Sequence, residues 1–108
     1  MNILQYTDFL SEKPTVFQIR KNDKIQQFAV ALGKNCLLKK HTTNVPTNLI
    51  VMRGELKFTF PDQEVLLKEF DVFEIPVDVE HEVWGLEDEN LFVITKELAK
   101  DVDIFDEA

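Results

Sequence analysis

Two histidines, His41 and His81, are the side chains in this sequence with the broadest chemical range, and the 108-residue chain contains no others. An imidazole can bind a metal ion, hydrogen-bond a ligand, or exchange a proton near neutral pH. His41 lies within residues 37–54 and His81 within residues 70–85, and both stretches contain apolar, β-type runs. A β fold can therefore bring the two rings into one pocket.

The elements that must position these rings are strands, because the pattern over residues 15–96 is β-type throughout. Leu56, Phe58 and Phe60 alternate with polar residues, which is the period of a half-buried strand. Similar short runs recur at near-regular spacing, with turn residues such as those at 61–63 between them. This arrangement is typical of a sandwich or a barrel, so we expect a single all-β domain.

Composition excludes several classes of protein. The net charge of −8 makes the chain a poor partner for nucleic acid, whose phosphates require clustered Lys and Arg. The single cysteine, Cys36, cannot form an intramolecular disulfide, which suits a reducing compartment. The first residues lack a basic start followed by an apolar run, and no apolar run approaches membrane-spanning length. We therefore expect a cytoplasmic protein with no membrane partner.

The stretch containing the first histidine resembles the first motif of the cupins, small antiparallel β-barrels of jelly-roll type. That motif is a Gly, then His-x-His, then a Glu, then a Gly seven positions beyond it. Gly33 precedes, His41 stands at the first histidine, and Gly54 closes the motif. Thr43 occupies the position of the second histidine, and Thr47 occupies that of the glutamate.

The stretch containing the second histidine resembles the second cupin motif. That motif is a Gly, five residues, Pro-x-Gly, two residues and a His. Pro76, Asp78 and His81 keep this spacing, and Phe70 stands where the first Gly would be. The resemblance covers about residues 33–96 and implies a single antiparallel β-barrel of the cupin jelly-roll type.

The departures from these motifs bear on metal binding. Metal-binding cupins hold a divalent ion with three histidines and one glutamate, and the matching positions here are His41, Thr43, Thr47 and His81. Neutral hydroxyls are weak metal ligands, and two imidazoles alone leave an ion mostly solvated. The resemblance therefore implies no certain cofactor, and at most a weak site for Fe, Mn, Ni or Zn at His41 and His81.

Strand alternation predicts which other side chains face the pocket. If His41 and Thr43 point inward, Lys39 does so too, unless a bulge intervenes. A lysine ammonium would repel a metal cation and favour a carboxylate or phosphate. The predicted ligand-binding set is therefore Lys39, His41, Thr43, Thr47 and His81.

Three functional interpretations follow from this set. The first is a binding protein whose cavity takes a small polar or acidic molecule. The second is a metal-dependent cupin enzyme, an oxygenase or isomerase, with His41 and His81 as the surviving ligands. The third is a pair of core histidines inherited from a lost site. No sequence motif specifies a reaction.

The chain is expected to divide into an amino-terminal arm (1–15), a cupin β-barrel domain (16–98) and an acidic carboxyl-terminal tail (99–108). Residues 91–94 are apolar on both faces of their strand, so the outer face requires cover from the amino-terminal strands or from a second subunit. Residues 1–54 hold eight Lys or Arg against three Asp or Glu, whereas residues 55–108 hold four against seventeen. We expect a homodimer, in which such opposite patches can meet.

Overall fold

The computed structural model describes residues 1–98, and the predicted acidic tail at 99–108 lies outside the described residues. Within residues 1–98 the chain forms nine strands and one turn of 3-10 helix, Ile3–Tyr6, and no α-helix. In chain order the strands are β1 (Thr15–Lys21), β2 (Ile25–Gly33), β3 (Leu37–His41), β4 (Thr47–Arg53), β5 (Glu55–Thr59), β6 (Glu64–Lys68), β7 (Val72–Ile75), β8 (His81–Gly85) and β9 (Glu89–Glu97). The predicted all-β class is confirmed.

The strands form two antiparallel sheets that face each other. One sheet has five strands in the order β1-β2-β9-β4-β7, and the other has four in the order β3-β8-β5-β6. From β2 onward the chain passes repeatedly from one sheet to the other, which is the connectivity of a jelly roll. Over the described residues the two sheets are not joined into one closed hydrogen-bonded ring, so the fold is a jelly roll of two packed sheets.

The inner faces of the two sheets form the core, as the alternating apolar pattern predicts. In β5, Leu56 and Phe58 are buried while the residues on either side are partly exposed. Burial of such side chains is the main favourable contribution to folding. The core cluster comprises Val30, Leu32, Cys36, Leu49, Val51, Leu56, Phe58, Phe60, Leu67, Ile75, Val83 and Phe92.

The outer face of the five-stranded sheet is covered in part by residues near the amino terminus. Ala29 and Ala31 of β2 and Leu91 of β9 are buried there, although they point away from the core. Ile3 and Phe9 pack against them. The expected cover by the amino-terminal strands is therefore only partly right, because Ile19 of β1 contributes but Ile3 and Phe9 lie ahead of the first strand.

A buried asparagine closes the end of the fold where β8 and β9 meet. Asn90 is fully buried, and its Oδ1 accepts hydrogen bonds from the backbone N–H groups of Glu55, at 3.0 Å, and Glu87, at 3.1 Å. Its Nδ2 donates to the carbonyls of Leu32, at 3.0 Å, and Glu87, at 2.8 Å. Gly54 has a φ of +84°, and a Cβ there would collide with Asn90, so glycine is needed at this position.

No helix within residues 1–98 has the length and apolar character needed to cross a membrane.

Candidate functional site

A cavity of about 100 Å³ lies between the two sheets, and all five of its polar or charged side chains come from the ends of strands or from the β3–β4 connection. These five are His41, Thr43, Thr47, His81 and Lys96. The other nine lining residues are apolar: Val16, Phe28, Val30, Leu38, Phe58, Ile75, Val83, Phe92 and Ile94. The cavity is therefore amphipathic, with an apolar body and a cluster of polar groups.

The structure brings the two histidines into contact. His41 of β3 and His81 of β8 are paired across the four-stranded sheet, and their ring centroids lie 4.4 Å apart in an edge-on arrangement. His81 is buried and lies 5.8 Å from the Phe58 ring and 5.9 Å from the Phe60 ring, whereas His41 is exposed. The pair thus has one ring in the core and one at the surface.

Each imidazole is oriented by a hydrogen bond to the backbone carbonyl two residues before it. Nδ1 of His41 lies 2.7 Å from the carbonyl of Lys39, and Nδ1 of His81 lies 2.9 Å from that of Val79. Because a carbonyl oxygen can only accept, each Nδ1 carries the hydrogen in these bonds. Each neutral ring therefore keeps the lone pair on Nε2, which is left to accept from a ligand.

The two threonines are buried at the same end of the fold. Thr43, in the β3–β4 connection, is 6% exposed, and Thr47, at the start of β4, is 1% exposed. The Thr47 hydroxyl donates to the carbonyl of Val45 at 2.9 Å, so its oxygen remains an acceptor. Both positions line the cavity, as the predicted ligand-binding set requires.

The lysine at this cavity is Lys96, and the prediction that Lys39 faces inward is corrected. The register of β3 against β8 shifts between Leu38 and His41, so simple alternation does not continue through the strand. Leu38 and His41 line the cavity, while Lys39 is exposed and lies along a separate surface groove. Lys96 of β9 was not among the predicted residues, although alternation from Phe92 and Ile94 places it on the same inner face.

Comparisons with known proteins bear on the fold. No family model matches the sequence, and no curated protein matches it either. An RmlC-like cupin from Methanocaldococcus jannaschii superposes with a TM-score of 0.75 at 22% identity, covering 87% of this chain and 89% of that one. The chain has a cupin fold. A cupin-2 domain protein from Shewanella frigidimarina gives a TM-score of 0.70 at 22% identity, covering 88% and 87% of the two chains.

A third cupin, from Desulfitobacterium hafniense, matches with a TM-score of 0.73 at 18% identity over 79% of this chain and 77% of that one. The backbone supports the cupin alignment at two positions where the motif has glycine and this chain does not. Phe70 has a φ of 71° and Asp78 a φ of 63°, both in the left-handed region that favours glycine. At both motif positions the backbone therefore has a conformation that a glycine would adopt readily.

The cupin fold implies a metal, but the side chains present do not fit one. Within residues 1–98 no group of three or more His, Cys, Asp or Glu side chains is placed to hold an ion. At the motif positions, only His41 and His81 carry nitrogen or carboxylate ligands, because Thr43 and Thr47 offer hydroxyls. Catalytic zinc and iron sites normally use three protein ligands, so this donor set does not match one.

Burial controls the protonation of the inner histidine. Removal from water lowers the pKa of His81 below its ordinary value of 6.5. The hydrogen bond to Val79 acts in the opposite direction, and the neighbouring His41 ring adds a smaller lowering. His81 is therefore a neutral imidazole at pH 7, and its Nε2 is a hydrogen-bond acceptor.

We expect this pKa shift to make folding sensitive to mild acid. The unfolded chain protonates His81 near pH 6.5, while the folded chain resists protonation until a lower pH, so the unfolded state binds more protons. The free energy of unfolding should therefore decrease as the pH falls below about 6.5. Urea unfolding between pH 7.5 and 5.5 measures the dependence of the free energy of unfolding on pH. This dependence should become weaker in His81→Gln and persist in His41→Gln. An equal dependence in the wild type and His81→Gln would contradict the assignment.

Proposed function

We propose that this protein binds a small organic molecule in the cavity between its sheets. The observation that carries the proposal is the division of the cavity lining into nine apolar and five polar residues. Ligand sites in proteins commonly combine apolar walls with a few polar groups that fix the orientation of the bound molecule. Here the ligand would place its polar end among His41, Thr43, Thr47, His81 and Lys96, and its apolar part against Phe58 and Phe92.

The cavity volume limits the size of this ligand. An apolar cavity of about 150 Å³ accommodates a benzene molecule. A cavity of about 100 Å³ therefore fits a molecule of roughly four to six non-hydrogen atoms. This size is that of a short-chain acid, alcohol or amide, and it excludes nucleotides and sugars as fully enclosed ligands.

A pair of adjacent threonines provides the test. Thr43 is buried and lines the cavity, whereas Thr42 is exposed beside it. Replacing Thr43 by Phe places an aromatic ring in the cavity, and Thr42→Phe adds the same ring to the surface. We expect small organic compounds at saturating concentration to raise the melting temperature of the wild type and of Thr42→Phe, because they bind only the folded state. Thr43→Phe should show no such increase.

Two results would overturn this proposal. One is equal stabilisation of Thr43→Phe and Thr42→Phe by the compounds, which would place binding outside the cavity. The other is near-stoichiometric iron, manganese, nickel or zinc in protein prepared without a histidine tag, lost in a His41→Ala/His81→Ala variant. That result would favour the metal-dependent oxygenase or isomerase over the binding protein.

We also propose that the protein is a homodimer formed through the outer face of the five-stranded sheet. Ile50 and Val72 are paired across β4 and β7, and they are 38% and 66% exposed; Met52, next along the same face of β4, is 43% exposed. Clustered exposed apolar side chains on one face are typical of a contact surface. Ile50→Lys should produce monomers in sedimentation, while Leu66→Lys, on an exposed residue of the other sheet, should not. A monomeric wild type would contradict the proposal.

A further inference from the structure

We propose that the cavity selects a short-chain monocarboxylate and that Lys96 binds its carboxylate group. The inference rests on the proposed binding function and names the class of ligand. The inference is based on the position of the Lys96 side chain, which carries an ammonium group, at a largely apolar cavity. Of the other polar residues there, Thr43, Thr47 and His81 are uncharged at pH 7, and His41 is exposed. Lys96 would thereby determine the charge of the ligand, and the apolar walls would determine its length.

The location of Lys96 suits this role. It lies near the end of β9, directly across the sheet from Thr47, and both side chains line the cavity. Its Nζ lies over the Phe28 ring, 5.7 Å from the ring centroid, in a cation–π arrangement. Among residues 1–98, no acidic side chain lies within salt-bridge distance of Lys96. The ammonium therefore lies against an aromatic face of the cavity wall, and no carboxylate of residues 1–98 engages it.

The charge balance of the cavity favours one negative charge. An ammonium-to-carboxylate hydrogen bond is charge-assisted and is stronger than one between neutral groups. A dicarboxylate or a phosphate dianion would bring a second negative charge close to buried apolar side chains such as Phe58 and Phe92, which is costly without a second cation. The Thr43 hydroxyl can donate to the second carboxylate oxygen. Because Nε2 of His81 and the Thr47 oxygen can only accept, the carboxylate lies toward Lys96 and Thr43 and away from these two atoms.

The apolar part of the cavity sets the length of the acid. Val30, Phe58 and Phe92 are each at most 1% exposed and face the cavity from opposite sheets. Each methylene moved from water into such surroundings strengthens binding by about fourfold. Affinity should therefore increase from acetate to about butanoate, and it should stop increasing once the tail exceeds a cavity of about 100 Å³.

Isothermal titration of the full chain with acetate, butanoate, pentanoate, octanoate and the neutral butanamide tests the inference. We expect butanoate to bind more tightly than butanamide, and the acids to gain affinity only up to about butanoate. Lys96→Met should weaken butanoate binding roughly 10- to 100-fold, the loss expected for a charged hydrogen bond. Lys96→Arg, which keeps the charge, should retain most of the affinity.

Two matched lysines serve as controls. Lys57 also lies over an aromatic ring, with its Nζ 6.0 Å from the Trp84 centroid, but it lies outside the cavity. Lys39 is the lysine that the sequence pattern favoured. Butanoate affinity should be unchanged in Lys57→Met and Lys39→Met, and circular dichroism establishes that each variant is folded.

The outcomes separate this inference from the proposed function. Equal binding of butanoate and butanamide, or unchanged butanoate binding in both Lys96→Met and a second variant, Lys96→Gln, would overturn the carboxylate inference and leave the binding function intact. A loss of butanoate affinity in Lys39→Met instead would assign the carboxylate to Lys39. Both the carboxylate inference and the proposed binding function would be overturned by two results together. These are no binding of any acid or of the amide, and the same response of the melting temperature to small organic compounds in Thr43→Phe and in the wild type.

Discussion

Asn90→Ala is expected to lower the free energy of unfolding by about 3–5 kcal/mol, because it removes four hydrogen bonds at a buried position. The backbone N–H groups of Glu55 and Glu87 and the carbonyls of Leu32 and Glu87 would lose their partner. Such groups incur their full desolvation cost when they stay buried and unbonded. Folded domains are typically stable by about 5–15 kcal/mol, so the variant should lose a large fraction of its stability.

Chemical denaturation of Asn90→Ala beside Asn44→Ala measures this effect. Asn44 is exposed in the β3–β4 connection, so the same substitution there should change stability by no more than about 0.5 kcal/mol. A loss below about 1 kcal/mol in Asn90→Ala would show that water replaces the amide. The role of Asn90 of β9 as the link to β2, β5 and the β8–β9 turn would then be wrong.

Phe58→Ala is the second substitution with a large expected effect, also a loss of about 3–5 kcal/mol. Phe58 is 1% exposed, and its ring lies 5.4 Å from that of Phe73 and 5.8 Å from that of His81, measured between centroids. Removing the ring deletes buried apolar surface and leaves a void that joins the existing cavity, since Phe58 is part of its wall. The loss of buried apolar surface and the new void therefore each lower the free energy of unfolding.

Phe70→Ala is the matched control, because Phe70 is 74% exposed and the chemical change is the same. Thermal unfolding should show a clearly lower melting temperature for Phe58→Ala and little change for Phe70→Ala. Similar melting temperatures for these two variants would mean that the core between the sheets can collapse around the missing ring. In that case the cavity would not have the fixed walls that a size-selective site requires.

The sequence could predict the features that depend on local period and on motif spacing. Alternation in β5 identified Leu56 and Phe58 as core residues, and both are buried. The cupin spacing placed Phe70 and Asp78 at glycine positions, and both have the positive φ angles that glycine would favour. These features were predictable because a two-residue period and a turn each depend on only a few neighbouring residues.

Features that depend on long-range register could not be predicted in the same way. The shift in pairing between Leu38 and His41 turns Lys39 away from the cavity, and nothing in the local composition marks it. The four bonds of Asn90 reach residues up to 58 positions away, so the sequence shows only a polar residue in an acidic turn. Lys96 follows from alternation along β9 once Phe92 and Ile94 are known to face inward.

Methyl and imidazole NMR during a titration with butanoate tests directly whether a small organic molecule binds between the sheets. Val30 and Val83 line the cavity with His81, whereas Leu66 and Val72 lie on the two outer surfaces. We expect saturable chemical-shift changes at Val30, Val83 and His81, with the signals of Leu66 and Val72 unchanged. Shifts confined to Leu66 or Val72, or no saturable shift at the three cavity residues, would contradict binding between the sheets.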